Sequence, residues 1–317
     1  MYYSIRHLTQ FRYDSPVSES LMEVRMHPRS EGPQRCLSFQ VSVDPRAQVS
    51  SYRDYLGNSI HHFDVPQKHT QLRVVAEALV EVQAMPELPK RLGADSWDQL
   101  DALVAAGDYW ETLMPSQFAH SGPALEQLIE DLHVERRDDP LSFLRELSEA
   151  IYIWFEYVPK STRVDSPIDH AIETRQGVCQ DFAHIMTALV RHVKIPCRYV
   201  SGYLYPRGLP SDRSSEGASH AWVEALLPGL GWTGFDPTTN LFTGDRHIRT
   251  AIGRDYADVP PTRGIFKGKA ASDLTVSVRV ALSDAPPPPE ADLNLPPQWE
   301  DPPESDPPDV QQQQQQQ

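Results

Sequence analysis

The sequence predicts an α+β protein, with a β-sandwich-like N-terminal domain followed by a half that runs helices first and strands afterwards. Three observations carry that prediction. The first eighty or so residues alternate apolar and polar side chains at the two-residue period of strands. A middle stretch then shows helix-start signals and apolar steps of three and four, and strand-rich segments joined by a glycine-containing turn come last. At 317 residues with 39% hydrophobic content, the chain has material for two domains.

In the opening segment, "CLSFQVSV" places Leu37, Phe39, Val41 and Val43 on one face, and "DYLGNSIHHFDV" sets Gly57 and Asn58 between two strand-like runs. A further strand is expected over Leu72–Val82, while His61 and His62 read as polar decoration. "MPELPKRLG" breaks the pattern, which bounds this domain at residues 1–84 and opens a helical connecting segment over 85–138. Within it, Ser96 with Gln99 reads as a capping box. Asp139 and Pro140 read as N-cap and first residue of a longer helix, whose Phe143, Leu147, Ile151 and Phe155 drift around one face before an expected end near Pro159. A core segment over 139–282 closes with the strand "LTVSVRVAL". From Ser283 proline and acid dominate, and seven Gln end the chain. That leaves too little apolar surface to repay ordering, so 283–317 is predicted to be disordered.

Charge and cysteine usage narrow the function. The net charge is −15, and the stretch from Ser283 to Val310 holds eight acids and no Lys or Arg, so the rest of the chain carries only −7. An acidic body without a basic cluster argues against a nucleic-acid partner. "MYYSIRHLTQFRYDSP" lacks the apolar core of a signal peptide, and no run approaches the roughly 20 apolar residues that span a bilayer, so the expectation is a cytoplasmic protein with no membrane contact. Cys36, Cys179 and Cys197 lie far apart without C-x-x-C spacing, which excludes a disulfide framework and argues against a thiolate zinc site. Free thiols are expected, and with no calcium-loop motif, neither a metal nor a cofactor.

The chemistry centres on "TRQGVCQDFAHIM". Phe182, Met186, Leu189, Val190 and Val193 form an apolar stripe, and Cys179 begins it, three residues before Phe182 on the same face. A thiol in the first helical turn meets unpaired N–H groups and the positive end of the helix dipole, both of which favour a thiolate. Its candidate partner is His220 in "SHAWVEALL", at the start of a strand that a "PGLG" turn connects to "WTGFDPT" and Asp236. If Leu227 pairs with Trp232, Asp236 lands on the face opposite His220. If Leu227 pairs with Gly231, Asp236 faces Trp222 and becomes a diagonal, same-face neighbour of His220. A triad therefore requires an odd-length turn or a bulge, which Gly229 and Gly231 permit. Singly, each residue has a plainer explanation: a core thiol, a half-buried strand histidine, a turn aspartate before Pro237. Cys197 in "IPCRYV" is the internal contrast, a strand thiol with no helix end behind it.

"GVCQDFAHIMTALVR", "IPCRYVSGYL", "SHAWVEA" and "FDPTTN", in that order, resemble the transglutaminase-like superfamily core, a papain-like thiol-enzyme fold of helices packed on an antiparallel sheet. The resemblance runs from about Leu141 to Asn240. The opening strands resemble the N-terminal β domain that precedes this core in bacterial members, and "GRDYADVPPTRGIFKG" resembles a segment they carry after the Asp motif. The resemblance implies Cys179 as nucleophile, His220 as general base and then acid, Asp236 as the group that orients the imidazole, and the Cys179 N–H as half of an oxyanion hole. For the other half, Trp154, Tyr157 and Gln180 are candidates, the first two with a core-packing role as the stronger reading. Asp255 and Tyr256 either line the cleft or anchor a loop. The implied activity is thiol-dependent acyl transfer on a peptide or protein substrate. It is either hydrolysis of a peptide or isopeptide-type amide, as a cysteine peptidase does, or transfer of a glutamine acyl group to an amine. A peptide-binding module without turnover is the alternative from another class. Bacterial members are often encoded beside ATP-grasp ligase-like proteins, which implies such a functional partner.

Overall fold

A computed structural model describes residues 1–207, 213 and 217–283, together with the backbone of 312–316. The N-terminal strands are β1 (Tyr2–Val17), β2 (Glu19–Val24), β3 (Gln34–Asp44), β4 (Ser50–Arg53), β5 (Ser59–Val65) and β6 (His69–Val82). Burial along β1 as far as Tyr13, and along β2, alternates residue by residue, as the apolar pattern requires of strands with one face on a core. Helices follow: α1 (Ser96–Ala106), α2 (Trp110–Leu113), α3 (Pro123–Asp131), α4 (Pro140–Trp154), α5 (Ile168–Thr174) and α6 (Cys179–His192). The short strands β7 (Glu156–Tyr157) and β8 (Gln176–Gly177) lie among them and pair in parallel. The C-terminal sheet comprises β9 (Cys197–Leu204), β10 (His220–Leu227), β11 (Gly231–Asp236), β12 (Leu241–Phe242) and β13 (His247–Gly253), in the order β12-β11-β10-β9-β13.

The chain then leaves that sheet. β14 (Thr262–Lys267) pairs with β2, and β15 (Ser272–Ser283) pairs with β1 over twelve residues, so both belong to the N-terminal domain. From sequence they are expected in the core segment that ends at 282. Alternation identifies a strand and its faces but carries no label for its partner. With β16 (Gln312–Gln316) on the outer side of β14, the domain's two sheets run β15-β1-β6-β3 and β16-β14-β2-β5-β4. Phe11, Tyr13, Met22, Val24, Phe63, Leu72 and Phe266 fill the space between them. Of the tail expected to be disordered, 284–311 and 317 lie outside the described residues, and the backbone of 312–316 forms this edge strand instead.

The helical segment does more than connect. Leu100, Leu125 and Leu128 from α1 and α3 are buried in one cluster with α4, α6 and the sheet, so residues 85–138 are part of the second core. Asp139 caps α4 as its type predicts, accepting from the N–H groups of Leu141 and Ser142. α4 stops at Trp154, short of Pro159, because Phe155 turns extended and leads into β7. Ser96 is already helical in α1. Asp95 stands at the cap position and takes the Gln99 amide, so no Ser96 capping box forms. α6 is buried on nearly every side, Asp181, His184 and Arg191 included, which makes it the central helix of the domain. Among the described residues no helix is long and apolar enough to cross a membrane.

Candidate active site

Cys179 is the first residue of α6 and is half-buried at the helix start. Two neighbours in the "GVCQD" motif shape that start. The Asp181 carboxylate accepts the Val178 N–H at 2.8 Å and the Thr162 hydroxyl at 2.5 Å, which fastens the turn that presents the thiol. A Cβ at Gly177 would come within 3.0 Å of Asp181 and 3.1 Å of Phe182, so only glycine fits without crowding this cap.

His220 and Asp236 come from the β10–β11 hairpin, whose register is the one that brings them together. Leu227 pairs with Gly231 and Val223 with Phe235, which places Asp236 opposite Trp222. The three-residue turn, 228–230, is made possible by Gly229 within it and Gly231 at the start of β11, both in the left-handed region at φ 70° and 69°. Ala221, Val223, Ala225 and Leu227 face the α6 core. By alternation, His220 and Trp222 share the other face of the strand. Because His220 is the first residue of β10, its imidazole lies at the sheet end, where it hydrogen-bonds the Cys179 thiol. Its Nε2 donates to Asp236 Oδ2 at 2.8 Å, leaving Nδ1 for the thiol.

Asp236 is wholly buried and has five donors around it. Oδ1 accepts from the backbone of Thr238 at 3.0 Å and of Thr239 at 3.4 Å, while Oδ2 accepts from the Thr239 hydroxyl at 2.7 Å, from His220, and from His247 Nε2 at 3.1 Å. Burial alone would raise its pKa; the two imidazoles outweigh that and hold it well below the ordinary carboxylate value. For His220 burial opposes the charged form, but the Asp236 carboxylate and the Cys179 sulfur overcome it and push the pKa up to about 10. Both partners thus favour the protonated ring.

His247, the first residue of β13, has no counterpart among the sequence-predicted residues. Nothing in "GDRHIRT" marks it: its partner is reached only through the sheet order. His220, Asp236 and His247 also form the one group of metal-ligating type among the described residues, with ligand atoms within 4.8 Å of one another. The contacts are of hydrogen-bond length and each nitrogen faces the carboxylate as a donor, so the arrangement fits a proton network.

The remaining predicted residues divide clearly. Gln180 donates its amide to the Val164 carbonyl at 2.9 Å and is committed to the neighbouring loop. Trp154 carries the Arg175 guanidinium over its ring at 4.6 Å, and Tyr157 packs edge-on against Phe182. Asp255 anchors a loop, accepting the N–H groups of Phe118 and Ala257. Tyr256 donates its backbone N–H to buried His184 and packs beside the same core as Cys179. Cys197 is fully buried and Cys36 half-buried; burial raises both thiols to about 11. His61 is more than decoration, since it stacks on His27 and packs against Phe39.

Comparison with known proteins places this geometry. Residues 3–81 match the bacterial transglutaminase-like N-terminal region, and residues 129–237 match the transglutaminase-like superfamily. An uncharacterised Mycobacterium leprae protein is 32% identical over 275 residues, which cover 86% of this chain and 96% of that protein. A protein-glutamine gamma-glutamyltransferase of Pseudomonas aeruginosa is 25% identical over 224 residues, covering 68% of this chain and 32% of that protein. The crystal structure of a proposed cysteine protease from Cytophaga hutchinsonii superposes with a TM-score of 0.69 at 24% identity, over 90% of this chain and 93% of that one, a likeness of fold. The architecture is thus that of a papain-like α+β protein, with cysteine, histidine and aspartate gathered at one sheet end. The chain belongs to the transglutaminase-like superfamily.

Proposed function

We propose that this protein is a thiol-dependent acyl-transfer enzyme that hydrolyses a peptide or isopeptide-type amide through a thioester on Cys179. The observation that carries the reading is the continuous hydrogen-bonded chain Cys179–His220–Asp236, with its thiol end half-exposed at a helix start and its carboxylate end fully buried. In the reaction, the Cys179 thiolate adds to the amide carbonyl carbon and the electron pair moves to oxygen. The Cys179 N–H lies in the first helical turn, where such groups have no intrahelical acceptor, and it donates to that oxyanion. As the C–N bond breaks, the His220 imidazolium gives its proton to the departing amine. Water then adds to the thioester while neutral His220 takes its proton, and loss of the sulfur releases the carboxylic acid and restores the thiolate–imidazolium pair. Asp236 holds the ring in the tautomer that points Nδ1 at sulfur and stabilises its charged form.

Transfer to an amine is the second reading, and the likeness to the Pseudomonas aeruginosa gamma-glutamyltransferase favours it. A primary amine then replaces water in the second half-reaction. The first test is the iodoacetamide alkylation rate of Cys179 against pH, by peptide mass mapping, in the native protein and in His220→Ala. Rapid labelling near pH 6 that the substitution removes supports the thiol–imidazole pair. Labelling no faster than that of Cys36 or Cys197 in both proteins overturns it in favour of a binding module. Casein supplied with a fluorescent primary amine then separates peptide release from amine incorporation.

A further inference from the structure

The N-terminal sandwich grips the C-terminal sheet by its edge. β13 is an outer strand of that sheet, and two buried amide side chains occupy the backbone groups that a further strand would use. Arg249 N–H donates to Gln34 Oε1 at 2.8 Å, and Gln34 Nε2 donates to the Arg249 carbonyl at 2.9 Å. Ile252 N–H donates to Asn58 Oδ1 at 2.9 Å, and Asn58 Nδ2 donates to the Ile252 carbonyl at 2.8 Å. Each amide reproduces the paired bonds of an antiparallel ladder. The edge is therefore closed by the other domain.

The residue that opens this strand is His247. Its Nδ1 accepts the Gly244 N–H at 3.3 Å, which places the ring proton on Nε2, and Nε2 donates to the same Asp236 oxygen that His220 uses. The Trp222 ring stands edge-on to it at 5.2 Å and packs over Gly202, where any Cβ would strike the indole at 2.6 Å. We propose that His247 is a positioning residue for the Cys179–His220–Asp236 chain, and that the N-terminal domain sets its place through the Gln34 and Asn58 clamps on β13. The inference rests on the thiol-enzyme reading above. The charged and titratable groups around His247 are Asp236 and His220 on the hairpin and Arg246 beside it. Glu224, Arg198, Arg249 and Glu31 line the same cavity of about 350 Å³ as His247 and Trp222. Thr238 and Thr239 hold Asp236 without help from His247. What His247 adds is a donor that competes with His220 for one oxygen. Taking it away strengthens the hold of Asp236 on the His220 proton.

The test is carboxymethylation of Cys179 by iodoacetate across pH in the full chain, read by peptide mass mapping. This anionic reagent is drawn by an imidazolium, so its rate falls where His220 loses its proton, near pH 10. In His247→Phe, which fills the ring space without a donor, the fall is expected to move up by about one pH unit. His247→Gln keeps an amide donor and is expected to restore the native profile. Gln34→Leu, which removes one of the two amide clamps on β13 and leaves the site residues intact, is expected to shift the profile in the same direction by less. An unchanged profile in folded His247→Phe, or an equal shift in His247→Gln, overturns the positioning role. An unchanged profile in Gln34→Leu overturns the domain clamp, and this variant carries the test if His247→Phe does not fold. A native profile with no fall, or one identical in His220→Ala, sinks the thiol-enzyme reading itself and is distinguishable from the other outcomes.

Discussion

His184 in the middle of α6 and His220 at the end of the sheet are both enclosed, and their chemistry is opposite. His184 is stacked between Phe118 at 5.4 Å and Tyr199 at 4.9 Å, and its Nε2 accepts a backbone N–H. Burial, with Arg191 adding to it, pulls its pKa down to about 3. His220 feels the same burial, yet Asp236 at 2.8 Å and the Cys179 sulfur carry it up to about 10. Enclosure sets a default, a neutral ring, and one properly placed carboxylate reverses it. His184 stands only five residues from Cys179 in the chain, so nearness in sequence selects the wrong histidine.

The strongest way to break that contrast is Asp236→Asn, which keeps the size of the side chain and deletes its charge. His220 then faces burial with far less compensation, and its pKa is expected to fall below neutral, toward that of His184. Cys179 alkylation at pH 6 is expected to fall by up to about 300-fold, to the rate of a free thiol, and any amide turnover by roughly 10⁴-fold, the scale of a charge-to-amide change in a related triad. Proton NMR of the imidazole resonances across pH checks the cause. If His220 stays charged at pH 7 in this variant, Asp236 is not what separates the two rings. A smaller effect is expected from Gly177→Ala, whose new Cβ would crowd Asp181 and loosen the cap on Val178 N–H. A weakened cap costs about 1 kcal/mol. Thermal melts should show that loss, together with slower Cys179 labelling.

The two regions were unequally legible. Cys179, His220 and Asp236 could be picked out because each stands at a junction with its own local signature: a helix start, a strand start, a turn before proline. The hairpin could be narrowed to two registers, and the left-handed glycines at 229 and 231 select between them. His247 carries no such mark, because its contact with Asp236 depends on β13 adding to the far side of β9. Gln34 and Asn58 are harder still, since they serve backbone 215 and 194 residues away. The apolar stripe of α6 was readable. The burial of Asp181 and Arg191 was not, because their partners, Thr162, Ser116 and the Arg254 carbonyl, come from loops outside the helix. The return of β14 and β15 to the sandwich escaped for the same reason.

The smallest effect sharpens the comparison through stability. His184 binds its proton less readily in the folded chain than in the unfolded one, near 6.5, so between about 3 and 6.5 the unfolded state holds more protons and stability falls as pH falls. His220 is the reverse. With a folded value near 10, its contribution is complete below 6.5 and is lost as pH rises through 10. His184→Phe should therefore flatten the acid side of the plot of Tm against pH and leave the alkaline side unchanged, whereas His220→Ala should flatten the alkaline side. The acid effect will be partial, because His7 and His61, both lowered to about 4 by burial, remain in place. Replacing His184 also removes its bond to Tyr256 N–H, a pH-independent loss of about 1 kcal/mol. The shape of the curve, and not its height, is the measurement that tells the two histidines apart. Parallel curves for the two variants would mean that neither ring is held in the protonation state its surroundings dictate.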